Sequence, residues 1–297
     1  MKNGLTISLI IECGSANYGE GFGNISPLKK LSRGSGETYS YISRQALRYN
    51  IIQQMGCNNT PVQASGSGAK KVLQFHSDAD IITYPEIDLF GYMKTDAGSK
   101  ANTRNAVVRL SNAIALEAYT GDTDYLTNMG LSARDKNTDN SIAQSEIHQS
   151  FYSYTIAIDL DRIGIDEVDG KIVSIKKREK VKRIKDFLDT VMFLYRDIKG
   201  RRENLSPVFA IGGIYERKTP FFENRLHLYK GNLNTNIIKQ IIDSADFIRN
   251  STEIGYLTGT FHNDKSIQED LNTVTIKQFF GNLKEKVEEV YNESNPD

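Results

Sequence analysis

An α+β fold is predicted by three features of this 297-residue sequence. Two β-rich runs, Leu5–Ile11 and Phe151–Leu160, stand far apart in the chain. Two other stretches carry apolar residues at helical spacing, and each lies between strand candidates. In chain order, the run from Leu5 to Ile11 is the first strand. The segment Gly14 to Ser40 follows with six glycines and one proline, and a loop that long within a compact domain usually serves a function. Ser43 then caps a helix whose Ala46, Leu47, Ile51 and Met55 keep i, i+4 spacing, while Arg44 and Arg48 project together from another face. Asn58 to Lys71 reads as a polar loop, and Ile87–Met93 and Ala106–Leu110 as short strands separated by the polar stretch Thr95–Asn105. Asp122 to Ser150 is mostly polar around an apolar Leu126–Leu131 patch. Val181, Ile184, Leu188, Val191, Tyr195 and Ile198 form an amphipathic helix stripe. The basic turn Lys199–Glu203 leads into a strand at Pro207–Tyr215, followed by a strand-like Leu226–Tyr229 and helices near Asn236–Arg249 and Ile276–Tyr291. The strongest elements give a β-α-β-β-α-β plan, ferredoxin-like or RRM-like, as one domain over 1–297. Insertions fall at about 13–42, 56–105 and 120–150, with a C-terminal elaboration over 230–297.

Charge balances at 37 Lys+Arg against 37 Asp+Glu, which taken as a sum argues against a nucleic-acid binder. The distribution argues otherwise. Residues 24–57 hold five basic residues against Glu37, and residues 171–202 hold twelve against four acids. A groove lined by one sign of charge attracts a polyanion whatever the total. The competing expectation for Lys176–Lys185 is a solvated helix face. Cys13 and Cys57 have no ligand-spaced neighbours and read as plain thiols. No signal-type segment and no run near the ~20 apolar residues of a membrane span is present, so a cytoplasmic protein without membrane contact is expected.

Several motifs resist a functional reading. Gly19-Glu-Gly-Phe-Gly23 has no following helix and no Gly-Lys-Ser/Thr, so a nucleotide site is not expected. Asp135–Glu146 has oxygen ligands at positions 1, 3, 5 and 12 of a calcium loop, but Asn140 stands where glycine belongs. A plain polar loop is the expectation there. His76, His148, His227 and His262 lack zinc spacing, so neither a metal nor any other cofactor is predicted. Asp159 and Asp161 alternate on a strand and should face opposite ways. One constellation does point to chemistry. The basic loop Leu28–Gly34, with Lys29, Lys30 and Arg33, runs through Tyr39 and Tyr41 into Ser43-Arg44-Gln45 and Arg48 at a helix N-terminus. Such a terminus favours phosphate, arginines grip it bidentately, and tyrosines stack on splayed bases.

At these residues the sequence resembles the DevR-type CRISPR-associated family, the backbone subunits of type I-B Cascade within the RAMP superfamily. The similarity rests on Asn17-Tyr-Gly-Glu20, Asn24–Lys30, Tyr41–Tyr49, Asp88-Leu-Phe-Gly-Tyr-Met93 and Ile158–Gly164, and extends to about Tyr229. It implies an RRM-like palm with fingers in 56–105 and a thumb in 120–150, with Met129 (or Leu126 or Leu131) as an apolar wedge. Copies would stack along a CRISPR RNA beside other Cascade subunits and reach target DNA through guide pairing. Asn17, Tyr18, Lys29, Lys30, Arg33, Ser43, Arg44, Gln45 and Arg48, with Arg201 and Arg202 of the basic turn, are the expected RNA contacts. Related type III subunits cut RNA with an aspartate in the loop after the first strand. Here that loop holds only Glu20 and Glu37, so a non-catalytic scaffold is expected. The alternatives are a metal-dependent endoribonuclease using Glu20 or an acid in 120–170, and a calcium-responsive interaction domain.

Overall fold

The computed structural model describes residues 4–293 except 15–16, 22, 67–70, 96–100, 135–141 and 169. The first strand, β1 (Gly4–Cys13), is buried at every position but Glu12, as its unbroken apolar run requires. The long glycine-rich segment contains three short strands, β2 (Ile25–Ser26), β3 (Lys30–Ser32) and β4 (Thr38–Ile42). Ser43 caps α1 (Arg44–Gln54) by accepting the Ala46 N–H. The hairpin β5 (Val62–Ser65) and β6 (Val72–Phe75) precedes α2 (Pro85–Phe90), β7 (Tyr92–Lys94) and β8 (Asn102–Arg104). Next come β9 (Val108–Leu110), β10 (Ala113–Ala115), β11 (Asp122–Thr127), α3 (Met129–Ser132), β12 (Ile142–Ile147) and the long β13 (Ser150–Asp159). A hairpin of β14 (Ile165–Val168) and β15 (Lys171–Ser174) leads to α4 (Lys177–Met192), and a second, β16 (Tyr195–Ile198) and β17 (Arg201–Asn204), leads to β18 (Phe209–Tyr215). The chain ends with β19 (Leu228–Tyr229), β20 (Asn232–Leu233), α5 (Thr235–Ile242), α6 (Asp246–Ser251), β21 (Glu253–Tyr256), α7 (Asp264–Leu271) and α8 (Ile276–Glu293).

The predicted α+β class holds, built on an antiparallel sheet in the order β21-β18-β1-β13-β10-β4-β3, with β9 also on β13. β1 pairs β13 from Gly4↔Asp159 to Cys13↔Ser150 and borders β18 on its other edge. Helix α1 lies between β1 and β10 in the chain, and α4 between β13 and β18. One face of the sheet packs Leu5, Ile7, Leu9 and Ile11 against Leu47 and Ile51 of α1, Ile184 and Phe187 of α4 and Phe280 of α8. The opposite face buries Ile10, Phe209 and Ile211 beneath Phe222, Leu226, Ile238 and Phe261 of the C-terminal third. Much of the second sheet face is therefore roofed.

Four local expectations are corrected. The helix stripe ends at Met192, and Tyr195 and Ile198 belong to β16. The helix expected near Asn236–Arg249 is two, α5 and α6. Asp159 and Asp161 do not diverge, because β13 ends at Asp159 in a 3-10 turn and both carboxylates meet Lys218 Nζ. Ile87–Met93 is not one strand: Pro85 opens α2, whose N1 position suits it, Gly91 at φ 73° ends it, and of the expected strand Tyr92 and Met93 alone are extended, in β7. A Cβ at Gly91 would sit 2.3 Å from the Arg104 carbonyl oxygen, so only glycine fits. Within α2, the fully buried Asp88 carboxylate accepts from Arg104 at 2.7 Å, Arg183 at 2.9 Å and the Gly164 N–H at 2.9 Å. That node joins α2, the β7–β8 hairpin, the turn after β13 and α4.

Candidate nucleic-acid interface

The loop after β1 is fastened to the start of α1. Asn17 Oδ1 accepts both the Ser43 N–H (3.1 Å) and the Ser43 hydroxyl (2.9 Å), while the Asn17 carbonyl accepts the Lys29 N–H. Both side chains are buried, so Asn17 and Ser43 set the geometry of this region and leave surface contacts to their neighbours. Glu146 on β12 provides the second fastening, accepting the Leu28 N–H and Lys30 Nζ, each at 2.7 Å. Tyr18 donates to the Glu146 carbonyl, and Lys30 lies 4.5 Å over the Tyr119 ring. Glu37 is likewise engaged, accepting the Tyr39 hydroxyl at 2.7 Å.

Arginines converge beside the N-terminus of α1. Arg44, Gln45, Arg48 and Arg109 stand around a hollow of about 430 Å³ floored by Phe90 and Leu110. The Arg44 N–H is held by Asn112 Oδ1, which leaves its exposed side chain to the hollow. Arg48 lies 5.0 Å over Phe90 and 3.6 Å from Glu86; burial lowers its pKa, and Glu86 works against that shift. Arg109 donates to Asp159 at 2.8 Å, which raises the arginine's pKa. Burial pushes the Asp159 carboxyl up, but Arg109, Lys218 and Arg162 outweigh it and hold the pKa below the usual value. Among the described residues no group of histidines, cysteines and carboxylates could hold a metal. Asp135–Ser141 of the calcium-loop motif lie outside the described residues, and its Glu146 serves Lys30.

The second basic island divides. On α4, Arg183 is buried on Asp88, Lys182 pairs with Asp186 and Lys185 with Glu288, so this part is a structural and solvated helix face. The β16–β17 hairpin instead reaches the first island. Lys199 at its turn donates to Ser26 Oγ at 2.8 Å and lies 5.0 Å over the Tyr18 ring. Gln54 of α1 exchanges two hydrogen bonds with the Tyr195 backbone. Arg202 stacks 4.5 Å over Tyr195 and pairs with Asp197, and Arg201 pairs with Glu203. Arg33 lies apart from the arginine hollow, 4.4 Å over Tyr39 at a different depression. Met129 is 66% exposed on α3 beside Leu126 on β11 at 70%, while the Leu131 side chain is outside the described residues. Sequence reasoning missed Arg109 and Phe90. The one signal for Arg109 was a charge inside the apolar run Ala106–Leu110.

A family profile described as "CRISPR-associated negative auto-regulator DevR/Csa2" matches residues 5–232. The chain belongs to this CRISPR-associated family. The DevR/Csa2 region spans all the basic residues placed above and stops within the C-terminal roof. Among solved structures, a chain of a "CRISPR RNA-guided surveillance complex, pre-nicking" superposes with TM-score 0.58 at 12% identity, covering 94% of this chain and all of that one. A chain of another "CRISPR RNA-guided surveillance complex" gives 0.52 at 15% identity, covering 94% and 99%. The shared feature at such identities is the fold. No curated protein sequence matches this chain. Among the described residues no helix is long and apolar enough to cross a membrane.

Proposed function

We propose that this protein is a non-catalytic CRISPR RNA-binding backbone subunit of a type I-B Cascade complex. The observation that carries the reading is the convergence of Arg44, Gln45, Arg48 and Arg109 on one hollow at the start of α1. Lys199 of the second island adds a cation beside the same loop. Guanidinium groups on an apolar floor suit an RNA backbone whose bases are splayed rather than paired. The spatial order β18-β1-β13-β10, with α1 and α4 as crossovers, supports reading the sheet as an RRM-like palm. The roof over its second face leaves the sheet edge and the α1 terminus as the open route for RNA. The exposed Tyr125, Leu126 and Met129 support a thumb whose apolar tip inserts between nucleotides. Several copies would line one guide beside other Cascade subunits in the cytoplasm, and pairing by that guide would select invading DNA.

Two measurements test this reading. The protein lacks tryptophan, so co-purifying RNA should dominate its ultraviolet spectrum. Combining Lys29→Ala, Arg44→Ala and Arg48→Ala should weaken anisotropy-measured binding of single-stranded guide RNA at least tenfold, since several phosphate contacts go at once. Unchanged affinity would refute the site. Magnesium-dependent RNA fragments that vanish with Glu20→Gln would instead favour the endoribonuclease.

A further inference from the structure

Two asparagine side chains hold the backbone N–H groups at the start of α1. Asn17 Oδ1 takes that of Ser43, and Asn112 Oδ1 takes that of Arg44 at 2.9 Å. Asn112 stands in the two-residue link between β9 and β10, and continuing the β4–β10 register beyond Ala113↔Ile42 places it opposite Ser43. Its neighbour Ser111 is anchored in the sheet. The Ser111 N–H donates to the Thr155 carbonyl at 2.9 Å, and the Ser111 hydroxyl accepts the Thr155 N–H at 2.9 Å. The Thr155 hydroxyl meets the Ser8 hydroxyl of β1 at 2.7 Å. A polar chain thus runs from the central strands β1 and β13 through Asn112 to Arg44 at the arginine hollow.

Neither clamp carries charge. An aspartate caps a helix start as well as an asparagine does, and its charge would also gain from the helix dipole. Stability alone therefore gives no reason for a carboxamide at position 112. The hollow gives one. Arg48 faces Glu86 at 3.6 Å and Arg109 donates to Asp159 at 2.8 Å, whereas Arg44 has no carboxylate partner among the described residues. A carboxylate at position 112 would draw the Arg44 guanidinium back onto its own helix start and repel an incoming phosphate. We propose that Asn112 is a positioning residue for RNA binding: it fixes the backbone from which Arg44 extends and, being uncharged, keeps Arg44 free for a phosphate. The inference rests on the RNA-binding reading above and adds a residue which that reading does not include. Asn112 acts through Arg44 and need not touch the RNA itself.

The test uses the full chain and a guide-length single-stranded RNA, with salt-dependent anisotropy and thermal melts as readouts. Asn112→Asp keeps the acceptor and adds a charge. Its melting midpoint should equal or exceed that of wild type, because the dipole favours the acid. Its RNA affinity at low salt should nonetheless fall about tenfold, the scale of one unit charge acting on a phosphate near a protein surface. The slope of log affinity against log salt should drop by about 0.7, one phosphate's share on a single strand. Asn112→Ala removes the acceptor without changing charge, so affinity should fall about threefold, the scale of one neutral hydrogen bond, at an unchanged slope. In an Arg44→Ala background Asn112→Ala should cost nothing further, since a residue that acts through another adds no loss once that one is gone. Wild-type affinity in Asn112→Asp, or a full further threefold loss from Asn112→Ala in the Arg44→Ala background, overturns the role of Asn112 while the α1 site stands. The Arg44→Ala background decides between these outcomes if Asn112→Asp fails to fold. Failure of wild-type protein to bind any RNA overturns the RNA-binding reading and this inference together.

Discussion

The Asp88 carboxylate meets the Arg183 guanidinium at 2.9 Å although the residues are 95 apart in the chain and both side chains are buried. Arg104 closes the other side of the carboxylate at 2.7 Å, so one buried anion serves two buried cations. Asp88→Asn removes the buried charge they share, leaving Arg104 with Asp166 at 3.3 Å and Arg183 with the part-exposed Glu179 at 3.1 Å. Removing one member of a buried ionic group costs about 3–5 kcal/mol. A denaturant melt should therefore show a much lower midpoint, and a variant as stable as wild type would contradict the node's structural role.

That node marks where the sequence could and could not be read. The cap at Ser43, the strands β1, β13 and β18 and the helix α8 follow from local apolar period and cap chemistry, which a short window contains. Asp88-Leu-Phe-Gly91 resembled a family motif, yet its partners Arg104, Gly164 and Arg183 lie far along the chain. No local pattern reveals them. The same holds for the basic islands: counting charge found both, but only folding separates Arg183, which is spent internally, from Lys199, which reaches Ser26. Arg109 became part of the site because β9 runs beside α1, a relationship set by sheet order.

Glu146 holds the loop after β1 to β12 through Leu28 and Lys30. Both side chains of the ion pair retain partial exposure, which screens it, but the backbone hydrogen bond is lost as well. Glu146→Ala should cost about 1–2 kcal/mol. Limited proteolysis should show faster cleavage within 14–34, and an unchanged digestion pattern would show that Glu146 does not fasten this loop.

His148 is buried between Ser40, whose hydroxyl lies 2.7 Å from Nδ1, and the rings of Tyr119 and Tyr152. Burial lowers its pKa, opposed by Glu117, the Ala118 backbone and Asp122. A histidine with a depressed folded value binds its proton more readily when unfolded. Its contribution is thus complete above the unfolded value of 6.5 and is lost as pH falls from there toward the folded value. The slope in that window is at most about 1.4 kcal/mol per pH unit. Urea melts between about pH 5 and pH 7.5 should flatten in His148→Gln, and an identical pH slope in the variant would assign the dependence elsewhere.

If the proposed RNA-binding role holds, salt dependence should separate the cations at the α1 hollow and the β16–β17 turn from those that hold the fold. Each phosphate neutralised on a single strand contributes about 0.7 to the slope of log affinity against log salt. Arg109 shares its hollow with Arg44 and Arg48, but Asp159 partly offsets its charge. Asp159 also faces Arg162 and Lys218, so the cluster around it remains cationic. Arg109→Ala should therefore lower the slope by somewhat less than one phosphate's share, about 0.5. Lys199→Ala with Arg202→Ala should remove about one contact, because Arg202 is already paired with Asp197. Lys182→Ala, on the α4 face and paired with Asp186, should leave the slope alone. If Lys182→Ala lowers the slope while the other variants do not, RNA lies along α4 and the hollow at α1 is not its track.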